Sequence, residues 1–230
     1  MNDDPEEPGG TLDPERYDRW FERPWGSHAF GVERDALLDA LGPLKGRALL
    51  EVGCGTGRFT AELERAGAQV TGVDNDPGMI ARAASRTDAT LLLADAHTLP
   101  LCDDSFDAAV AVTLLEFATD PQHIVDEMVR VTRPGGRIAV ATLNPRSPWG
   151  LAHRRELRKP PWSSACLTTR RQLRALLAGH GRPRLHGALH APGIRPGLAW
   201  LAHVTEHAGR WAPGIGAFQI AVLDLPEPAR

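Results

Sequence analysis

Cysteine is scarce in this sequence and its count is odd: Cys54, Cys102 and Cys166. Their spacing fits no metal-ligand pattern, and three thiols do not build a disulfide framework. The expectation is reduced thiols, no metal site and a cytoplasmic protein. Long apolar runs are missing too. None approaches the roughly 20 residues that a bilayer crossing needs, so no membrane span is expected. Basic charge is absent from the opening MNDDPEEPGG, where a secretory signal would carry it. That stretch has too little apolar surface to offset the entropy of ordering, so residues 1–15 read as a disordered acidic tail. Tryptophan is absent from residues 47–143, although Trp20, Trp25, Trp149, Trp162, Trp200 and Trp211 lie on either side. No internal repeat is visible.

What is present fits one decorated domain. The chain has 230 residues, 42% hydrophobic and 24% charged, which is ordinary for a protein with a sizeable core. The net charge of −3 conceals an asymmetry. Residues 1–145 hold 13 basic and 25 acidic side chains, whereas 146–230 hold 13 and 4. A basic second half suits an anionic acceptor or nucleic acid, and equally a solvated surface that balances the acidic half.

From 47 to 142, short apolar runs alternate with helical segments, which predicts βαβ units around a parallel sheet. The runs Ala48–Val52, Gln69–Val73, Thr90–Ala94, Asp107–Val112 and Arg137–Thr142 read as five buried strands. Between them, Phe59, Leu63 and Ala66 fall at helical spacing, and Gly67 follows as a stop. Pro77 and Pro121 each open a helix, the second carrying Ile124, Val125, Met128 and Val131 on one face. Residues 144–165 have no clear period and read as a loop or partial cap. Thr169 and Gln172 form a capping box before Leu173, Leu176 and Leu177. A sixth strand is expected at Arg184–Leu189, a surface helix over 196–210, and a last strand at Phe218–Leu223.

The chemistry concentrates at Leu49-Leu50-Glu51-Val52-Gly53-Cys54-Gly55-Thr56-Gly57. A buried strand ends in an acid, and three alternate glycines lead into a helix, at the strand ends where such sheets bind ligands. Asp74 follows the second strand, 17 residues beyond Gly57, where an acid can accept hydrogen bonds from both hydroxyls of a ribose. Asp95 and Ala96 close the third strand, offering a carboxylate and a backbone N–H to an adenine edge. A nicotinamide dehydrogenase would show G-x-G-x-x-G, but its last glycine position is held by Arg58. A negative Glu51 also opposes a pyrophosphate at that helix N-terminus, while suiting a ligand that bears an ammonium and a sulfonium.

These segments resemble the small-molecule class I methyltransferases, the broad group similar to ubiquinone and menaquinone C-methyltransferases. The resemblance rests on LLEVGCGTGRFT (49–60), VDNDPGMI (73–80), ADAHTLPLCDDSFDAAV (94–110) and EMVRVTRPGGRIAVATLN (127–144). It covers roughly 40–200, is specific for S-adenosylmethionine binding and is uninformative about the acceptor. It implies a Rossmann-like, doubly wound α/β fold of seven strands, mostly parallel, with the final strand antiparallel and a helical or loop cap. The corresponding organisation is a cap segment at 16–46, a cofactor-binding core at 47–143, and a C-terminal half at 144–230 with substrate-cap insertions. Gly53, Gly55 and Gly57 would cradle the methionine moiety, with Glu51 near its amino group. Asp74 and Asn75 would hold the ribose, Met79 would lie against the adenine, and Asp95 and Ala96 would read the adenine edge. The backbone of Thr113 and Leu114 would accept from the methionine ammonium.

One departure concerns the segment after the fourth strand, where the family often carries histidines before an Asp-Pro. Here Glu116 stands in that region, as a base, as a partner for a cationic acceptor, or as a local cap. Other candidates for proton removal are Tyr17, His123, Asp18 and His28. Tyr17–Phe21 resembles the N-terminal segment that folds over the cofactor in this family, and Pro145–Trp149 and Gly197–Trp211 are expected to close the far side. Their aromatics suit an aromatic, apolar or anionic small molecule. His203-x-x-Glu206-His207 matches an inverted zinc-peptidase pattern but lacks a third ligand, and reads as a surface helix. Asn144-Pro145 follows the fifth strand and not the fourth, which disfavours a nucleic-acid target. The competing functions are a non-catalytic S-adenosylmethionine-binding regulatory subunit and an RNA methyltransferase. The oligomeric state is not readable.

Overall fold

The computed structural model describes residues 13–155, 158, 162–190 and 214–227. Two helices, α1 (Pro14–Glu22) and α2 (Pro24–Leu41), precede the sheet. Then come β1 (Ala48–Val52), α3 (Arg58–Arg65), β2 (Gln69–Asp74), α4 (Pro77–Ala84), β3 (Thr90–Leu93) and β4 (Phe106–Val112). After β4 follow a 3-10 turn at Leu115–Phe117, α5 (Pro121–Val131), β5 (Thr132–Leu143), α6 (Pro148–Ala152), a further 3-10 turn at Trp162–Ser164, α7 (Arg170–Ala178), β6 (Arg184–Ala188) and β7 (Phe218–Asp224).

The strands form one seven-stranded sheet in the order β3-β2-β1-β4-β5-β7-β6. From β3 to β5 all pairings are parallel, and β7 inserts antiparallel between β5 and β6. This is the doubly wound, mostly parallel fold expected from the sequence. The chain leaves β1 towards β2 and β3, then returns to β4 on the other side. That reversal opens a crevice above the carboxyl ends of β1 and β4.

Alternate residues of the central strands feed the two faces of the sheet, as a period of two requires. Leu49, Val110, Ala139 and Phe218 pack beneath α2 and α3. Leu50, Ala109, Ile138 and Leu223 pack against α5 and α7 through Ile124, Met128, Leu173 and Leu177. Arg137 holds α2 in place: it donates to the carbonyls of Ala40 (3.2 Å) and Leu41 (2.8 Å) and pairs with Asp224 at 2.6 Å. The carboxyl end of α2 is thereby pinned beside the start of the β4–β5 pairing, where Arg137 faces Ala108. Helix α2 therefore runs against the parallel strands, and its first half lies over their carboxyl ends.

The helix starts have a common cause. Asp76, Asp120 and Ser147 each precede a proline and accept from a backbone N–H of the first turn, and the Thr169 capping box forms as expected. Asp13 does the same for α1, accepting from Glu15 (3.1 Å) and Arg16 (3.3 Å). Helix α1 thus begins inside the stretch expected as tail, and α6 inside the stretch expected as loop. The helix expected over 196–210, Trp200, Trp211 and the His203–His207 pattern lie outside the described residues. Among the described residues no helix is long and apolar enough to cross a membrane, and no side-chain group is suited to a metal ion. All three cysteines are free.

Gly26 is where α2 meets the end of α1: a Cβ there would lie 2.0 Å from the Trp20 carbonyl oxygen. Gly26→Ala is expected to lower stability by about 1–3 kcal/mol in urea titration, the usual cost of overpacking. Amide exchange should quicken in 14–22 more than in the sheet. Unchanged exchange in α1 would show that the two helices do not depend on this contact.

Candidate functional site

The glycine turn is set by the end of β2. Gly53 and Cys54 both donate their N–H to the Val73 carbonyl, at 2.7 and 2.9 Å. Gly53 has φ +73° and abuts Leu114, whose Cδ1 would lie 2.7 Å from an added Cβ. Only a residue without Cβ lets the segment after β4 come so close. Gly55, at φ +52°, differs: a Cβ there would stand in open space. The turn thus leaves a cradle that any side chain would fill. Asp74 locks it, accepting from Gly55 N–H at 2.8 Å on one oxygen and from Asp76 N–H at 3.0 Å on the other. Gly57 opens α3 and lets it sit against Ala83 of α4.

The cleft above this turn is lined by Tyr17, Glu51, Gly53, Gly55, Thr56, Arg58, Val112 and Thr113, with Cys54 and Phe59. Thr113 has φ +48°, a conformation that costs a β-branched residue about 1–3 kcal/mol and persists only where its surroundings impose it. Its N–H donates to Ala141 at 2.9 Å, which anchors it to β5. The backbone expected to meet a ligand is therefore also the backbone under strain.

Two acids beside the glycine turn have no cation. Glu51 is 1% exposed, and its carboxylate accepts from the Thr60 hydroxyl at 2.5 Å. Burial pushes its pKa up to about 8; the Thr60 bond opposes this and the nearby Asp74 adds to it. Asp74 is also raised, burial outweighing the backbone N–H groups of Asp76 and Gly55. Burial and these two carboxylates push the Cys54 thiol up in turn, leaving it a poor nucleophile. Among the described residues no ion pair engages Glu51 or Asp74.

The cation that does line the cleft, Arg58, is turned away to Asp18. Asp18 on α1 is 2% exposed and accepts from Thr56 Oγ1 (2.9 Å), Arg58 Nε (2.8 Å), Arg82 Nε (2.7 Å) and Arg86 (2.7 Å). Burial alone would raise its pKa, but the bonds from Arg86, Arg82, Thr56 and Arg58 hold it well below the usual carboxylate range. Asp18 was expected among the bases. Four donors correct that: it stays ionised and serves as a latch for α1. Arg58 also stacks over Phe21, 4.5 Å from the ring centroid, and Phe21 meets Tyr17 edge-on at 5.1 Å. Tyr17 is thereby held against the glycine turn. Burial raises its pKa, Glu33 adds to the rise, Arg58 opposes it, and Glu51 and Asp18 contribute further. It stays a neutral hydroxyl.

The remaining expected residues fall at the edges. Asn75 is exposed at the end of β2, and Met79 is buried on α4. Asp95 is exposed beyond β3 and accepts from the backbone (2.9 Å) and ring (2.8 Å) of His97, which lowers its pKa; Ala96 is half-buried beside it. His123, expected as a base, is not among the residues that line the cleft. It sits exposed at the start of α5, its ring 6.1 Å from that of His97, because Asp120 caps the helix there and points that turn to the rim. Glu116 is 1% exposed, and one of its oxygens accepts from Leu143 N–H at 2.8 Å. Sequence reasoning missed Arg82, Arg86 and Glu33. For the two arginines the signal was their spacing of four, Arg82 in the last turn of α4 and Arg86 just past its end; for Glu33 there was none.

The pH dependence of stability follows. An unfolded Glu51 ionises near 4.5 and the folded one near 8, so unfolding releases a proton between those values. Stability of the ligand-free protein should fall as pH rises through that window and then level. Glu51→Gln should lessen the fall by on the order of 2 kcal/mol in urea titrations at pH 5 and pH 8.5. Asp18 works in the opposite sense: its contribution is complete above the ordinary carboxylate range and is lost as pH drops below it. Identical pH profiles for wild type and Glu51→Gln would refute the assignment of the buried charge.

Comparison with known proteins agrees with this architecture. A family model described as a methyltransferase domain matches residues 50–140. A demethylmenaquinone methyltransferase of Beutenbergia cavernae is 39% identical over 117 residues, 50% of this chain and 48% of that protein. The chain thus spans about half the length of that relative. An uncharacterized methyltransferase of Mycolicibacterium vanbaalenii is 32% identical over 233 residues, 89% of each chain. Among solved structures, a Thermotoga maritima protein described as an S-adenosylmethionine-dependent methyltransferase, possibly acting on histamine nitrogen, superposes with a TM-score of 0.69. That likeness covers 90% of this chain and 94% of the other at 24% identity, and it shows the shared fold. With a relative matched along nearly its full length and a core fitting the domain model, the chain belongs to the methyltransferase family.

Proposed function

We propose that this chain moves the methyl group of S-adenosylmethionine onto a small-molecule acceptor by in-line transfer. The observation that carries the reading is the pair Glu51 and Asp74, two acids on the glycine turn with no cation paired to them, beside a Gly55 that leaves open space. Those residues fit a ligand with a positively charged amino acid at one end and a sugar with free hydroxyls at the other. A neutral or anionic nucleotide would leave both acids uncompensated.

When bound, the cofactor supplies an already activated methyl group. The protein's work is to bind, orient and exclude water. Asp74 retains lone pairs for the ribose hydroxyls after accepting from Gly55 and Asp76, and Asn75 stands next to it. Gly53, Gly55 and Gly57 present backbone to the methionine portion, with Glu51, the strained backbone of Thr113 and the backbone of Leu114 near its ammonium. Asp95 and Ala96 offer polar groups at the adenine end, and Met79 backs that region from α4. Tyr17 closes the cleft from above through the Asp18 latch, keeping solvent from the reacting centre.

Calorimetry tests this directly. S-adenosylhomocysteine is expected to bind the wild-type protein, and Asp74→Ala to weaken it at least about tenfold, the scale of losing hydrogen bonds to a charged acceptor. Absence of binding by the folded wild type, or an Asp74→Ala variant that binds equally well, would remove the reading.

A further inference from the structure

We propose that Glu33 and Glu116 form the recognition site for a protonated amine, the methyl acceptor, and that Glu116 takes the proton this amine must lose. The proposal rests on the methyltransferase reading above and names the substrate class it leaves open. Glu116 lies buried in the 3-10 turn after β4, three residues beyond Thr113, which lines the cleft. One carboxylate oxygen accepts from Leu143 at the end of β5, while Oε2 is buried with no hydrogen-bond partner. Such an atom is costly unless a ligand supplies the donor.

Glu33 comes to the same place from the opposite wall. It is 8% exposed on α2, seven residues before Ala40, which Arg137 pins to β5 opposite Ala108. Seven helical residues rise about 10 Å, as do the three strand residues from Arg137 to Val140. Because α2 runs against the strands, Glu33 comes roughly level with Val140 and Ala111, on the side towards the Glu116 turn. Among the described residues no ion pair engages either carboxylate. The charges that face Glu33 agree with this placement: burial raises its pKa to about 8, with Glu116 adding to the rise. Glu116 is raised to about 7 by burial, against hydrogen bonds from Leu143 and its own backbone. Tyr17 of α1 lines the cleft with Glu51 and is also near enough to Glu33 to feel its charge.

The pair is therefore separate from the acids assigned to the cofactor. Glu51 and Asp74 answer the charge at the glycine turn, and a second pair, Glu33 and Glu116, calls for a second cation. An anionic acceptor, one of the expectations from the basic second half, would meet two carboxylates here. An ammonium instead donates to Oε2 of Glu116 and to Glu33, and returns both groups to their ionised form. In the reaction the ammonium passes one proton to Glu116. The freed nitrogen lone pair forms the N–C bond to the methyl group, and the C–S electron pair remains on sulfur. The products are a methylammonium, held by the ionised Glu33, and S-adenosylhomocysteine.

The test uses the intact protein saturated with S-adenosylhomocysteine. Benzylamine, phenethylamine, tryptamine and butylamine are titrated beside the alcohols of the same skeletons, in buffers of different ionisation enthalpy. At least one amine is expected to bind tenfold or more tightly than its alcohol, with release of protons at pH 7.5. Glu33→Gln and Glu116→Gln should each abolish that preference and reduce the proton release, leaving S-adenosylhomocysteine affinity unchanged. If the homocysteine compound binds but no amine exceeds its alcohol, the amine site is wrong and the methyltransferase reading stands. If the homocysteine compound does not bind, both fall. Should a variant fail to fold, the wild-type preference and proton release alone decide: their absence overturns the proposal.

Discussion

The carboxylate of Asp18 is the contact on which the arrangement of the cleft depends. It lies on α1, yet its four side-chain donors come from the glycine turn, the first residue of α3 and the far side of α4. A buried charge with this many partners is costly to separate from any of them. The helices on either side of the turn are consequently drawn to one point, and α1 is drawn over them. Arg86 reinforces the closure by donating also to the Thr56 carbonyl. That ion cluster, with Arg58 stacked over Phe21 and Phe21 packed on Phe30 of α2, holds Tyr17 and Phe21 over the crevice.

The same chain uses carboxylates in two opposite ways. Where an arginine answers them, they hold structure. Arg130 gathers Glu127, Asp103 and the carbonyls of Leu99 and Leu101, which fastens the β3–β4 connection to α5. Arg133 does likewise with Asp107, and Arg137 with Asp224. Where no arginine answers them, four buried or half-buried acids stand out: Glu51, Asp74, Glu33 and Glu116. Burial raises the pKa of all four. Unmatched acids concentrated at strand ends are a mark of ligand chemistry, since a purely structural protein gains nothing from burying them.

Much of the framework was legible in the sequence. The five parallel strands were marked by short apolar runs, and the starts of α4, α5 and α7 by a capping residue ahead of a proline or a capping box. The same mark stood at Asp13-Pro14 and Ser147-Pro148, but the surrounding stretches lack a long apolar face, so a tail and a loop were the more natural reading. Caps depend on two or three neighbouring residues, whereas periodicity needs ten or more, and short helices such as α6 show only the former. The glycine turn, Glu51 and Asp74 were also legible, because their geometry follows from a strand end and a fixed interval along the chain.

The sequence by itself determined the order of elements, the turn at Gly53–Gly57 and the acid that follows β2. Each depends on residues close together in the chain. Tertiary structure alone decided which charges meet. Asp18 lies 64 and 68 positions from Arg82 and Arg86, and nothing local distinguishes it from an exposed acid until α1 folds back. Glu33 reads as a polar position on a helix until α2, pinned at its far end by Arg137, carries it down to the strand ends opposite Glu116. Burial and the absence of a counter-charge belong to the packed molecule, and those two conditions turn ordinary carboxylates into a site.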